Sequence, residues 1–213
     1  MDLDVTLHLG AVQRSIKSLE RDGQPARAVA LERTYPTSVD DLWDAITNGE
    51  RIPRWFLPVS GDLRLGGRYQ FKGNAGGEIT DCDPPSYLAV TWQFGGAISW
   101  VEVRLAAEGK QRARLTLIHT APVSDHWNTY GPGAVGVGWE LGLLGLAMYL
   151  DRPDAEKPDE AAFAASPVGR QFIVGSSEDW GRASISGGTE ASAALAAAGR
   201  TTAFYLGETA PGG

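Results

Sequence analysis

Few residues in this chain have the chemistry to do more than pack. Three histidines, one cysteine and one carboxylate inside an apolar run stand out among 213 residues. His119 closes the alternating stretch "RLTLIHT". Alternation puts it on the same side as Leu115 and Leu117, the side a strand turns toward a core. A histidine there can hydrogen-bond a ligand or exchange a proton, because its ordinary pKa lies near neutrality. The plainer use is a satisfied core side chain. Glu140 is the sole charge in "GAVGVGWELGLLGLAMYL", from Gly133 to Leu150. It either marks the solvent side of a helix or faces a cavity mouth beside His119, where the two make an acid–base pair. Glu78 and Asp81, on a strand after "GNAGG", carry the same two readings. Cys82 has no neighbour that would activate a thiol and reads as a small strand residue. His126 sits beside Asp125 in an expected loop, seven residues beyond His119, which is a weak metal spacing. His8 offers nothing specific. No residue is assigned a catalytic role, and neither a metal nor a cofactor is expected.

Other chemistries are excluded by what the chain lacks. There is no phosphate-binding loop, no nucleophile elbow and no H-E-x-x-H. The glycines of "GNAGG" and "GVGWELG" do not join a strand to a helix in a βαβ unit. Formal net charge is -7, which argues against nucleic acid and anionic membrane surfaces as general partners. A lone cysteine forms no intrachain disulfide and suits a reducing compartment. The acidic N-terminus has no long apolar core, so it does not read as a signal peptide. The expected location is cytoplasmic.

The elements that must position these residues follow from local signals. Two β-like runs flank Asp22-Gly23, a hairpin signal. Thr37 or Ser38 caps a helix with Asp40 and Asp41 in its first turn, and Val39, Leu42, Trp43 and Ile46 recur at helical spacing. Asn48-Gly49 stops it, and "ERIPRWF" makes a further short turn. From Ser60 to Pro122 the period drops to two, with turns at Gly66-Gly67, Pro84-Pro85 and Glu108-Gly109-Lys110: an antiparallel meander. Leu88, Val90, Trp92 and Phe94 share a face, as do Val101, Val103 and Leu105. The opposite faces are polar, so the apolar side needs a cover. The glycine-dotted run supplies it. Trp139, Leu143, Leu146 and Leu150 form one stripe of a helix. Gly138, Gly142 and Gly145 form a second, which means close approach by another backbone or space left open. A membrane span needs roughly 20 mainly apolar residues; this run falls short and carries Glu140, so a core helix is expected and no membrane insertion. Beyond Asp151, "DRPDAEKPDE" reads as a linker. Ser166-Pro167 opens one helix and Thr189 caps another. Phe172, Trp180, Leu195, Phe204 and Tyr205 are the expected docking residues, onto the main domain or onto a second copy of the chain.

The stretches "ERTYPTSVDDLWDAITNGERIPRWF", "GGRYQFKG", "GGEITDCDPPSYLAVTWQF", "RLTLIHT" and "GVGWELGLLGL" carry a resemblance. In this order they resemble the SRPBCC or START-like superfamily, and more nearly the bacterial family homologous to the C-terminal domain of the activator of the heat-shock-protein-90 ATPase. The resemblance covers about residues 26–151. It implies an α+β helix-grip fold, in which a curved antiparallel β-sheet wraps around a long C-terminal α-helix and leaves a cavity. The expected organisation is a lead-in and hairpin strand over 1–25, the helix-grip domain over 26–151, and a helical C-terminal extension over 152–213. Within such a cavity Trp55, Phe56, Tyr69, Phe71, Trp92, His119, Trp139 and Leu143 are the expected ligand-binding residues. The apolar walls supply affinity and His119 orients a polar group. The leading expectation is non-catalytic binding of a small hydrophobic molecule. One alternative is a cyclase, dehydratase or hydrolase using His119 as acid and base. Another is a co-chaperone or stress-related interaction module. The extension is a candidate surface for homodimerisation.

Overall fold

The computed structural model describes residues 3–208. The first and last few residues of the lead-in and extension expected above lie outside them. The elements in chain order are α1 (Val5–Gly10), β1 (Val12–Arg21), β2 (Gln24–Tyr35), α2 (Val39–Thr47), a single 3-10 turn (Ile52–Arg54), β3 (Val59–Gly61), β4 (Arg68–Phe71), β5 (Gly76–Asp83), β6 (Tyr87–Phe94), β7 (Ala97–Ala107), β8 (Ala113–Pro122), α3 (Asp125–Tyr130), α4 (Gly133–Asp151), α5 (Glu160–Ala165), α6 (Pro167–Ser186) and α7 (Ala191–Leu206). The strands form one eight-stranded open sheet in the order β1-β2-β8-β7-β6-β5-β4-β3. With the long helix α4 this is the α+β helix-grip architecture.

The chain divides into two compact units. One holds Met1–Leu31, Pro122–Leu141 and Pro158–Gly213; the other holds Glu32–Ala121 and Gly142–Lys157. β2 and α4 each begin in the first and end in the second.

In the first unit, the β1–β2 hairpin turns at Asp22 (φ 53°) and Gly23 (φ 74°). Two successive positive φ values are what a two-residue turn matched to the strand twist demands. Trp180, Phe172 and Ile173 of α6 are fully buried. The Trp180 indole lies over Gly136 of α4, where a Cβ would stand 2.1 Å from it. α7 packs through small residues: Ala194, Ala197, Ala198, Thr201 and Ala203 are buried. Thr201 donates to the Tyr130 carbonyl (2.8 Å) and Tyr205 to that of Ala134 (3.0 Å).

Several local expectations are corrected here. α1 was not anticipated; Asp4 caps it, accepting from the Leu7 amide at 3.0 Å. The expected loop at His126 is α3, capped by Ser124. α7 is capped by Glu190 and not by Thr189. The Glu190 carboxylate takes the amides of Ser192 and Ala193 at 3.0 and 2.9 Å, while the Thr189 hydroxyl is engaged by Ser184. Leu195 and Phe204, expected to dock, are 56% and 54% exposed.

In the second unit, Ser38 caps α2, its hydroxyl accepting from the Asp41 amide at 3.2 Å. β3 to β8 form an antiparallel meander, with one register shift in the β5–β6 ladder between Ile79 and Asp81. Its core gathers Leu42, Ala45, Ile52, Ile79, Val101, Leu105, Leu115, Leu117, Leu143, Leu144 and Leu146. Phe94 keeps its alternation with Trp92 but is 59% exposed, because it stands at the tip of the β6–β7 hairpin, where Gly95 and Gly96 both take positive φ.

The α4 glycines allow close approach. A Cβ on Gly145 would stand 2.5 Å from the Trp55 carbonyl oxygen, one on Gly142 3.4 Å from the Phe56 ring, and one on Gly138 2.9 Å from the Tyr205 hydroxyl. α4 is long and apolar enough to cross a membrane by length and composition, and half of that stretch is buried within the protein.

Candidate functional site

The second unit assembles a continuous aromatic cluster from four elements. Trp55 and Phe56 follow the 3-10 turn, with ring centroids 5.5 Å apart. Phe56 meets Phe71 of β4 edge-on at 5.0 Å. Phe71 contacts Tyr69, two residues earlier on the same strand face, at 5.4 Å, and Trp92 of β6 at 5.7 Å. Trp92 reaches Tyr69 at 6.4 Å and His119 of β8 at 6.1 Å. These centroid distances are in the range of favourable aromatic pairs.

Hydrogen bonds fix one end and one middle ring of this chain. The Trp55 indole donates to the Ala45 carbonyl on α2 (2.9 Å), and the Tyr69 hydroxyl to the Thr91 carbonyl (2.7 Å). Leu143 is buried on α4, its carbonyl accepting from Tyr35 at 3.1 Å. Its neighbour Gly142 lies against Phe56. Thus six of the eight expected residues meet through their rings, and Leu143 lies next to the glycine that touches one of them. Trp139 is half-buried in the part of α4 that belongs to the first unit.

His119 is buried, with its Nε2 2.9 Å from the Ser99 hydroxyl. That hydroxyl donates its only proton to the Trp92 carbonyl at 3.1 Å. Ser99 can therefore only accept from the ring, so His119 is the neutral Nε2–H tautomer, with the lone pair on Nδ1. Burial pushes its pKa down to about 4. At neutral pH the ring is uncharged and is a poor general acid. Burial likewise raises the Tyr69 phenol above its ordinary range.

Ser99 was missed in the sequence reading, although it stands in phase with Val101 and Val103 on β7 and could have been found by extending that alternation two residues. The register pairs Trp92 with Ser99 and Val101 with His119, which brings the three polar partners together.

Glu140 takes neither role expected of it. It is 1% exposed, in the first unit, and both of its oxygens are held by the Arg14 guanidinium at 2.7 Å. Asp179 on α6 adds a second carboxylate 3.2 Å from Arg14. Burial raises the Glu140 pKa, and Arg14 works against that rise. Cys82 is a half-buried free thiol, raised by burial and by Asp81 and Asp83. Among the described residues, no group of three or more His, Cys, Asp or Glu is placed to hold a metal ion.

The model of the family described as Activator of Hsp90 ATPase homolog 1-like protein matches residues 36–151. The chain belongs to this family. The match spans the second unit almost entirely and runs through α4. CalU16 from Micromonospora echinospora is a similar solved structure. Its crystal structure is 35% identical, covering 67% of this chain and 88% of that one with a TM-score of 0.60. Its solution structure is 34% identical, covering 83% and 97% with a TM-score of 0.68. DynU16, a protein of the dynemicin biosynthetic locus, shares the fold at 24% identity, covering 62% of this chain and 50% of that one with a TM-score of 0.53. No curated protein matches the chain.

Proposed function

We propose that this family member binds a small hydrophobic molecule against the aromatic cluster of its second unit, without transforming it. The observation that carries the reading is a contrast in burial. Leu42, Ala45, Leu115 and Leu117 of the same unit are sealed from solvent. Trp55, Phe56, Phe71 and Trp92 touch one another and yet stay half-buried. An aromatic surface left partly open by the protein's own packing is suited to a planar apolar guest, which gains contact area at little conformational cost. His119 favours binding over catalysis: a ring held neutral, with its N–H already committed to Ser99, is a fixed dipole at the end of the cluster.

The test is titration of the full-length protein with the neutral aromatic dye N-phenyl-1-naphthylamine, alongside native mass spectrometry of gently purified protein. Saturable one-to-one dye binding with quenching of tryptophan emission is expected. It should weaken about tenfold or more in Phe71→Ala and Trp92→Ala variants that retain native circular dichroism. Absence of saturable binding to folded wild type, or equal binding by both variants, overturns the reading.

A further inference from the structure

The opposite face of the same strands carries a second feature of different chemistry. Ser60, Gln70, Gly76 and Gln93 are aligned in register across β3, β4, β5 and β6. Residues directly opposite one another in a ladder point to the same side, and Tyr69 and Phe71 alternate to the other. Gly76 has no side chain of its own, and the place of a Cβ there is taken up by Gln70, whose Oε1 would stand 2.4 Å from it, and by the Tyr69 carbonyl oxygen at 2.8 Å. A cleft of 290 Å³ is lined by these residues together with Gly61, Arg68, Tyr69 and Gly77.

Donors and acceptors stand side by side in this cleft: Gln70 Oε1 and the Tyr69 carbonyl oxygen lie against Gly76, and the donors lie around Gln93. Arg68 is exposed, and its guanidinium donates to Gln93 Oε1 at 3.4 Å. Among the described residues no carboxylate lies within ion-pair distance of it, Glu78, its register partner, included. Accepting from Arg68 turns the Gln93 amide so that its NH₂ group is left to donate. Gln70 spends its own NH₂ on the carbonyls of Phe71 and Asn74, at 2.8 and 2.7 Å. The Ser60 hydroxyl makes only a long contact, 3.5 Å to the Gln70 carbonyl. In a protein of net charge -7, this cleft carries one guanidinium that makes no ion pair among the described residues, with Glu78 opposite it in the ladder, and one amide NH₂ group left to donate.

We infer that this cleft is a binding site for a small oxyanion, a carboxylate or phosphate group of a soluble molecule, gripped by the Arg68 fork and the Gln93 amide. A planar guanidinium matches two oxygens of such a group at once, and charge-assisted bonds are the strong ones. Tyr69 lines this cleft and also belongs to the aromatic cluster; the gripping groups, Arg68 and Gln93, are not part of that cluster, so the two readings are tested by different variants.

The test uses the isotopically labelled full chain, with sodium phosphate and sodium acetate titrated at constant ionic strength against sodium chloride. Saturable shifts are expected at the Gly76, Gly77 and Gln93 amides and at the Arg68 Nε–H. Tighter binding of phosphate assigns a phosphate ester, and tighter binding of acetate assigns a carboxylate. Arg68→Met should weaken binding at least tenfold with the remaining spectrum unchanged, and Gln93→Glu should abolish it. Shifts that never saturate, that chloride reproduces, or that persist in Arg68→Met overturn the inference.

Discussion

A methyl group placed on Gly145 would stand 2.5 Å from the carbonyl oxygen of Trp55. The helix and the segment that carries the aromatic cluster therefore meet backbone to backbone, and the glycine cannot be enlarged without moving one of them.

Gly145→Ala and Gly142→Ala should consequently behave as opposites. A helix-interior glycine costs about 1 kcal/mol relative to alanine, so both substitutions start with that gain. At Gly145 the clash is with main chain, which cannot rotate away, and overpacking of this kind costs about 1–3 kcal/mol. At Gly142 the new methyl meets the Phe56 ring at 3.4 Å, close to ordinary contact. Urea unfolding should show Gly145→Ala destabilised and Gly142→Ala neutral or stabilised; equal midpoints would refute the backbone contact.

Arg14→Met should be among the most damaging single changes in the first unit. It strands the Glu140 carboxylate, 1% exposed, without a counter-charge. Breaking a buried pair from one side costs about 3–5 kcal/mol. The double variant Arg14→Met, Glu140→Leu removes both charges and should recover most of that loss. A double-mutant cycle by chemical denaturation measures it, and a double variant no better than Arg14→Met would count against the pairing.

His119 gives the protein an acid sensitivity of definite sign. Its folded pKa of about 4 lies below the ordinary 6.5, so between these values the unfolded chain holds a proton that the folded chain refuses. Stability from this group is fully present above pH 6.5, falls as the pH drops through the window, and is lost below pH 4. A gap of this size corresponds to roughly 3 kcal/mol. His119→Gln should flatten the stability profile between pH 4 and 6.5. A variant profile as steep as wild type would assign the acid sensitivity elsewhere.

Ser99→Ala isolates the hydrogen bond that sets the tautomer. It leaves the buried Nε2–H of His119 without the acceptor at 2.9 Å, a loss of about 1–3 kcal/mol. Long-range nitrogen–proton correlation spectra should report the Nε2–H form in wild type and a mixture in the variant. A spectrum unchanged by the substitution would show that another group fixes the ring.

The parts of this architecture legible in the sequence are those with local causes. Asp22-Gly23 announces a turn and Ser38 a cap because both act within three residues of themselves. Period-two alternation placed Leu115, Leu117 and His119 on the buried side for the same reason. Glu140 was misread because its partner is 126 positions away, on β1; nothing near "GWELG" reveals an arginine waiting for it. The glycines of α4 signalled close approach, but not against what: Trp55 main chain, the Phe56 ring and the Tyr205 hydroxyl come from distant segments. Leu195 and Phe204 are apolar residues expected to dock onto the main domain or onto a second copy of the chain; α7 packs through its alanines and leaves these two side chains more than half exposed within one copy.

The residues after α4 are held to the segment bearing the aromatic cluster by unusual bonds. Arg54 donates to the carbonyl of Pro153 at 2.6 Å, and Lys157 to that of Phe56 at 2.6 Å. Both bonds end on amide oxygens, which take up no proton under conditions a protein survives. Acidification that neutralises carboxylate pairs elsewhere on the molecule therefore leaves the acceptors of these two bonds, and the charges of their donors, as they were.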